Sequence, residues 1–206
     1  MPEATKNEKA NVSAAKGVKG GYLFRAPLGS KKPTDLKTQL DAAFKVLGFV
    51  SEDGIVFSTE SDTEDLKDMN GDIMDSAQSS YKETFTATLA EVKKGVLDVL
   101  YGSANVTDAT GLLTVHVKGE QLEHGIYVFE GVLKNGRRMR RLIHDAQVTE
   151  LGDLTMTAGE LYAREATFTA YLRGFRRLLH GFLRIHRDDG GVAHGEARQA
   201  HHHRRR

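Results

Sequence analysis

Polar and apolar residues alternate over several stretches of this chain, and this alternation predicts β-strands. Over residues 81–89 one face is apolar and the other is polar and rich in Thr, with Lys82, Thr84, Thr86 and Thr88 on the polar face. Residues 164–170 repeat the pattern, with Glu165, Thr167 and Thr169 on the polar face. Side chains of a strand point alternately to opposite faces. Both strands are therefore expected to cover a core with one face and to meet water with the other.

Further strands are predicted on both sides of a hairpin signal. Ile126–Lys134 and Arg137–His144 flank the dipeptide Asn135-Gly136, which favours a tight turn between antiparallel strands. Shorter strands are expected over Tyr22–Ala26 and Leu113–Val117.

Two segments have helical spacing instead. Pro33, with Thr34 or Asp35 as N-cap and Gly48 as the stop, predicts a first helix. Its apolar stripe consists of Leu36, Leu40, Phe44 and Leu47. A second helix is predicted over Ala90–Tyr101 with Gly102 as its C-cap, and its inward residues are Val92, Val96, Leu97 and Leu100.

These elements predict a mainly β fold. We expect an antiparallel β-sandwich or rolled barrel with one or two flanking short α-helices. The expected organisation is a flexible N-terminal arm over residues 1–15, a β domain over 16–172 with a long acidic loop at about 58–80, and a basic tail over 173–206.

Composition excludes several classes of function. The chain has no Cys, which removes disulfides, thiolate metal sites and Cys nucleophiles. No apolar run approaches the roughly 20 residues of a membrane helix, and the polar first fifteen residues do not resemble a signal peptide. No membrane partner is expected, and a cytoplasmic product is the default.

Charge is distributed unevenly along the chain. Residues 173–206 contain nine Arg and three acidic residues, whereas the other 172 residues contain 20 basic and 25 acidic ones. The tail is interpreted as a disordered extension. Alternatives are a basic amphipathic helix over Phe175–Phe182 and a shifted reading frame.

The segment Ser58–Asp72 is strongly acidic and suggests a metal site at first sight. Its acidic residues are Glu60, Asp62, Glu64, Asp65, Asp68 and Asp72. An EF-hand that starts at Asp68 would need Gly at its sixth position and Glu at its twelfth, where the chain has Ile73 and Ser79. The spacing excludes this calcium loop, and no metal or other cofactor is expected.

No catalytic motif is present, and three scattered His residues, His116, His124 and His144, form no recognisable site in the body of the chain. Arg137, Arg138, Arg140 and Arg141 form a basic cluster. It is interpreted as a strand end with both faces in water, or as a surface for nucleic acid or for an acidic partner segment. The net acidic body disfavours nucleic acid, so the acidic segment fits better.

Several segments resemble, in order, the tail tube (major tail) proteins of long-tailed bacteriophages. They are VSAAKGVKGGYLFRAPLGSKKPTDLKTQLDAAFKVLGFVSEDG, then YKETFTATLAEVKKGVLDVLYG, a hairpin block that ends in RRLIHDAQVTELGDLTM, and ELYAREATFTAYL. The resemblance covers about residues 11–172 and has no single diagnostic motif. The segment after Leu172 departs from the family.

The resemblance implies a non-enzymatic structural subunit that self-assembles into stacked hexameric rings of a non-contractile tube. It also implies contact with the tape measure protein and with tail initiator and terminator proteins. Double-stranded DNA would pass through the bore without specific binding. The subunit would belong to the virion, and to the host cytoplasm before assembly.

Two other functions stay open at this point. One is the tube protein of a contractile tail or of a type VI secretion system. The other is a small nucleic-acid-binding or membrane-binding protein that acts through its basic tail.

In a tube, the polar strand faces are expected to line the bore, with Lys82, Thr84, Thr86, Thr88, Glu165, Thr167 and Thr169 as the lumen-facing candidates. The acidic loop is hypothesised to become ordered on assembly and to dock on a neighbour's Arg cluster. The candidate interface residues are Glu60, Asp62, Glu64, Asp65, Asp68, Asp72, Arg137, Arg138, Arg140 and Arg141.

Overall fold

The computed structural model describes residues 12–171 together with Lys9 and the strand Leu183–Ile185. Within these residues the strands are β1 (Lys16–Gly17), β2 (Leu23–Pro27), β3 (Lys45–Val46), β4 (Val50–Lys67), β5 (Ile73–Leu89), β6 (Val106–Ala109), β7 (Leu112–Val115), β8 (Gly125–Val132), β9 (Arg138–Leu151), β10 (Arg164–Ala170) and β11 (Leu183–Ile185). Helix α1 spans Lys94–Tyr101. The mainly β, antiparallel fold class is confirmed.

One sheet contains most of the strands, in the order β3-β2-β8-β9-β10-β5-β4. Strand β1 pairs with β8, β11 pairs with β9, and β6 and β7 form a separate two-stranded sheet. All pairs are antiparallel. The sheet turns from β8 to β10 through β9, whose first half pairs with β8 and whose second half pairs with β10.

The sheet is rolled, because strands that are distant in its order touch across its interior. The rings of Phe57 on β4 and Phe129 on β8 have centroids 6.1 Å apart. The backbone N–H of Val50 donates to the hydroxyl of Tyr22 at 2.5 Å, which joins the start of β4 to the start of β2. Rolling hides apolar faces that a flat sheet would expose.

Aromatic residues form the centre of the core. Phe85 and Phe168 are cross-strand partners, and their rings stack with centroids 4.3 Å apart. Tyr127 packs edge-on against both rings. A second apolar cluster, which includes Phe44, Val128 and Leu142, lies under residues 28–44. Strand β8 contributes to both clusters, which explains why six of its eight residues are buried.

The prediction of a helix after Pro33 is wrong. Residues 33–44 form bends and turns. Arg140 of the distant strand β9 donates to the carbonyl oxygens of Asp35 (2.5 Å) and Thr38 (2.8 Å), which a helix would use as acceptors for its own N–H groups. Phe44 and Leu47 are nevertheless buried, in two different clusters.

The second predicted helix exists, but it begins later than expected. It spans Lys94–Tyr101 and ends at Gly102, whose φ of 89° suits a residue without a side chain. Val92 precedes the helix and is exposed, contrary to the prediction, whereas Val96 and Leu100 are buried.

The hairpin at Asn135-Gly136 is present with a longer connection than a two-residue turn. Val132 pairs with Arg138, and a 3₁₀ turn over Lys134–Gly136 joins the strands. The tail over 173–206 lies outside the described residues except for the backbone of β11, and the first eleven residues lie outside them except for Lys9.

Candidate functional site

The acidic segment is a long β-hairpin, and the prediction of a loop is wrong. β4 and β5 pair from their base near Leu89 to the turn at residues 68–72. Side-chain bonds join the two strands: Gln78 Nε2 donates to Ser61 Oγ and Ser80 Oγ donates to Asp62 Oδ2, both at 2.7 Å. The hairpin is formed in the single chain, whereas the sequence predicted that the segment becomes ordered on assembly.

We call residues 58–82 the arm. All of its residues are exposed except Asp68, which is half-buried. Its two strands extend about 33 Å from Thr59 to Met69, at roughly 3.3 Å per residue. Glu60, Asp62 and Glu64 alternate along β4 and so share one face, and Asp65 lies on the other. The arm is therefore an acidic ribbon that projects from the rolled sheet.

The turn of the arm is organised by Asp68. The N–H groups of Asp72 and Asn70 each donate to its Oδ1 at 2.8 Å. These bonds hold the pKa of the Asp68 carboxyl below its ordinary value. Gly71, in the same turn, has a φ of 87°, which glycine adopts readily because it has no side chain. No group of metal-ligating side chains occurs in the described part of the chain.

The end of the arm is apolar, which the sequence analysis missed. Leu66 is 50% exposed, Met69 102%, Ile73 62% and Met74 70%. The signal lay in the sequence, since these four residues lie in or beside the charged turn within nine positions. We call these four residues the tip.

The Arg cluster does not act as one surface. Arg140 is buried, donates from Nε to the Glu130 carboxylate at 2.8 Å, and donates from Nη1 to the carbonyl oxygens of Asp35 and Thr38. It holds residues 35–38 on the sheet and is not accessible to a neighbour. The hypothesis that Arg140 receives an acidic segment is therefore wrong.

The other Arg residues of the cluster are more accessible. Arg138 has a side chain that is 58% exposed and lies 3.6 Å from Glu130. Arg141 places its guanidinium 4.0 Å from the centroid of the Phe57 ring, a cation–π arrangement. Arg137 is half-buried beside the hairpin connection.

The predicted lumen-facing residues lie together on one face. Thr84, Thr86 and Thr88 are the cross-strand partners of Thr169, Thr167 and Glu165. The Thr86 and Thr167 hydroxyls are 3.3 Å apart. Lys82 pairs with Glu60 of β4. Thr149 of β9, which was not predicted, hydrogen-bonds to the Thr169 hydroxyl at 2.9 Å. We call this surface the threonine face.

A cleft of about 880 Å³ lies where the roll closes. It is bounded by residues 15–22, by the start of β4 and by β8 and β9. We call it the seam cleft. Its apolar lining includes Val46, Phe49, Val50, Ile55, Phe129 and Met139.

Several polar side chains elsewhere in the described residues have structural partners. His124 Nδ1 lies 2.7 Å from Oδ1 of the buried Asp145, and the His124 ring packs against Tyr171. Ser103 donates to Glu123. Burial raises the pKa of Tyr127 to about 12. These contacts join β8, β9 and the segments beside them.

No helix among the described residues has the length and apolar character needed to cross a bilayer. No curated protein sequence matches the chain. The sequence model of a phage tail tube protein family matches residues 4–181, which include β1 to β10, α1 and the arm. The chain therefore belongs to the phage tail tube protein family and is a structural component of the phage tail.

Proposed function

We propose that copies of this chain form stacked hexameric rings, which build a hollow conduit for DNA. The observation that carries the proposal is the threonine face, a mainly polar surface over four neighbouring strands, β9, β10, β5 and β4. Val56, the partner of Thr86, is its exposed apolar residue on β4. The opposite face of the same strands is covered by the core that contains Phe85 and Phe168. Such a sheet can present one wet face to a bore.

The composition of the threonine face suits the passage of DNA. Lys82 and Glu60 are cross-strand partners, and Glu165 adds a negative charge to a face composed otherwise mainly of hydroxyl groups. Duplex DNA has one negative charge per roughly 1.7 Å of axis, and basic surfaces bind it strongly. A neutral-to-acidic lining lets the duplex slide.

Free strand edges allow rings to close. In the described residues β4 is the last strand of the sheet and has a partner on one side. Among the described residues, the end of β9 from Thr149 to Leu151 has β10 as its only strand partner. Edge-to-edge pairing of these two strands from neighbouring copies continues the four-stranded sheet around a bore and removes both exposed edges.

The arm contacts an adjacent subunit in this proposal. Its acidic residues face the accessible Arg137, Arg138 and Arg141 of a neighbour, while Arg140 stays within its own subunit. Surface ion pairs are individually weak. Repetition around a ring and along a tube makes such weak contacts sufficient.

Assembly into a tube also implies the partners of the subunit, its lack of a catalytic role and its location. The tape measure protein and the tail initiator and terminator proteins are partners at the bore and at the tube ends. The subunit has no catalytic role, and it resides in the host cytoplasm before assembly.

Negative-stain microscopy of the concentrated full chain tests the proposal. We expect hollow tubes or six-fold rings. A variant that lacks residues 186–206 retains β11 and should still polymerise, because the tube contacts lie in the body. A chain that remains monomeric at every concentration would contradict the proposal.

A further inference from the structure

The tip exposes two methionine side chains. Met69 is 102% exposed and Met74 is 70% exposed, although Met is one of the residue types that are most often buried. Leu66 and Ile73, the other two residues of the tip, are also at least half exposed. An exposed apolar cluster beside polar residues is typical of a protein contact site. Both thioethers therefore belong to a surface that suits contact and that solvent reaches in the single chain.

The backbone of the turn holds both methionines away from the body. Met69 lies inside a turn in which the N–H of Gly71 donates to the carbonyl oxygen of Asp68 at 3.1 Å, and the N–H of Asp68 donates to that of Asp72 at 2.9 Å. Met74 lies at the register shift between the pairs Leu66–Asp75 and Lys67–Ile73. Such bulges change the direction of a side chain.

A thioether at such a position reacts with peroxides. The sulfur lone pair attacks one peroxide oxygen, the O–O bond breaks, and the other oxygen leaves with a proton as water or an alcohol. Sulfur loses two electrons and becomes a sulfoxide, while the peroxide is reduced. The chain has no Cys and no Trp that would compete for the oxidant.

The sulfoxide changes the chemistry of the tip. It adds a polar oxygen to a side chain that is otherwise apolar. Burial of a polar group without a hydrogen-bond partner is costly, so an apolar contact that accepts the thioether disfavours the sulfoxide. The change is reversible, because sulfoxide reductases restore the thioether.

Two other methionines provide internal comparisons. Met156 is 80% exposed, but its neighbours in the chain are Thr155 and Thr157, so its oxidation does not alter the tip. Met139 is half-buried and lies over Gly131, where an added Cβ would come within 3.1 Å of the Met139 Cγ. Peroxide therefore reaches Met139 more slowly than the other three.

We propose that Met69 and Met74 form a reversible oxidation site, and that their conversion to sulfoxides by a peroxide stops assembly of the tube without unfolding the subunit. The inference rests on the proposed function, since it needs an arm that contacts an adjacent subunit. The fold is spared because the arm places Met69 about 33 Å beyond Thr59, at roughly 3.3 Å per residue.

Peroxide treatment of the full chain tests the inference. Hydrogen peroxide should oxidise Met69, Met74 and Met156 before Met139, as measured by mass spectrometry of peptides. The protein concentration needed for tube formation in negative-stain microscopy should rise about tenfold or more. The circular dichroism of the monomer should not change.

Leucine substitutions show which methionines are responsible. Leu is close to Met in volume and has no sulfur, so Met69→Leu with Met74→Leu should assemble equally well before and after peroxide. Met156→Leu is the matched control and should lose assembly after peroxide, as the unmodified chain does.

Reduction provides a second measurement on the unmodified chain. The two methionine sulfoxide reductases, one for each sulfoxide epimer, should together restore assembly of the oxidised chain. Either reductase alone should restore it in part.

The outcomes separate this inference from the proposed function. Normal assembly of the oxidised chain overturns the inference while the tube stands. Loss of assembly in the peroxide-treated Leu double variant, loss that the reductases do not reverse, or an altered circular dichroism spectrum also overturns it. Failure of the untreated, unmodified chain to form tubes overturns the proposed function itself.

Discussion

Arg140 stabilises more of the fold than its position in a run of Arg residues suggests. Its guanidinium satisfies the Glu130 carboxylate and the carbonyl oxygens of Asp35 and Thr38 at once. The Arg140 side chain is 5% exposed and that of Glu130 is 12% exposed. Removal of one partner from such a pair leaves an uncompensated buried charge.

We therefore predict that Arg140→Ala lowers the free energy of unfolding by about 3–5 kcal/mol. Arg138→Ala, on the exposed side chain that also approaches Glu130, is the matched control and should cost about 1 kcal/mol or less. Urea unfolding of the two monomeric variants measures the difference. Equal effects would mean that the buried pair does not hold residues 35–38 in place.

At the scale of elements, the arm is a part of the molecule that assembly needs in our proposal and that folding of the rolled sheet does not need. Beyond Thr59 and Glu83, which pair directly, the two strands are exposed on both faces. Their hydrogen bonds are to each other, and their side chains bury almost nothing. The rolled sheet does not need them for its own core.

Replacement of residues 60–82 by a two-residue Asn-Gly turn should therefore leave the monomer folded, with its free energy of unfolding within about 1 kcal/mol of the unmodified chain. Tube formation should be lost. Thermal melting and negative-stain microscopy of the same sample check both parts. Normal tubes would show that the arm is only a solvated surface, and an unfolded monomer would show that the body depends on it.

The same elements show what the sequence could predict. The period of two over residues 81–89 and 164–170 predicted both strands and the face shared by Thr86 and Thr167, because burial of one face imposes that period. The arm has no such period, since neither face is buried. Its strands depend on pairing and on polar bonds such as Ser80 to Asp62, which are not visible in hydrophobicity.

Other errors have local causes. The apolar spacing after Pro33 suited a helix, yet Arg140 of the distant strand β9 binds the carbonyl oxygens of Asp35 and Thr38, which a helix would use as acceptors. Arg140 was counted with an exposed cluster because its partner Glu130 lies across a hairpin. The seam cleft exists only because the sheet rolls, and long-range closure leaves no short sequence pattern.

At the scale of the whole molecule, the surfaces are arranged for repetition. Free edges lie at both sides of a four-stranded sheet, and the threonine face lies between those edges. A head-to-tail contact joins two different surfaces and leaves one of each free at the ends, so it generates closed rings or filaments. This arrangement is what a tail tube subunit requires.

The most direct test of the account is a cryo-electron microscopy map of tubes assembled from the full chain. The account predicts a hollow tube whose bore is lined by the threonine face, with Thr84, Thr86, Thr167 and Thr169 toward the lumen and no continuous basic surface. A bore lined by a continuous basic surface, or by the face that carries Phe85 and Phe168, would contradict it.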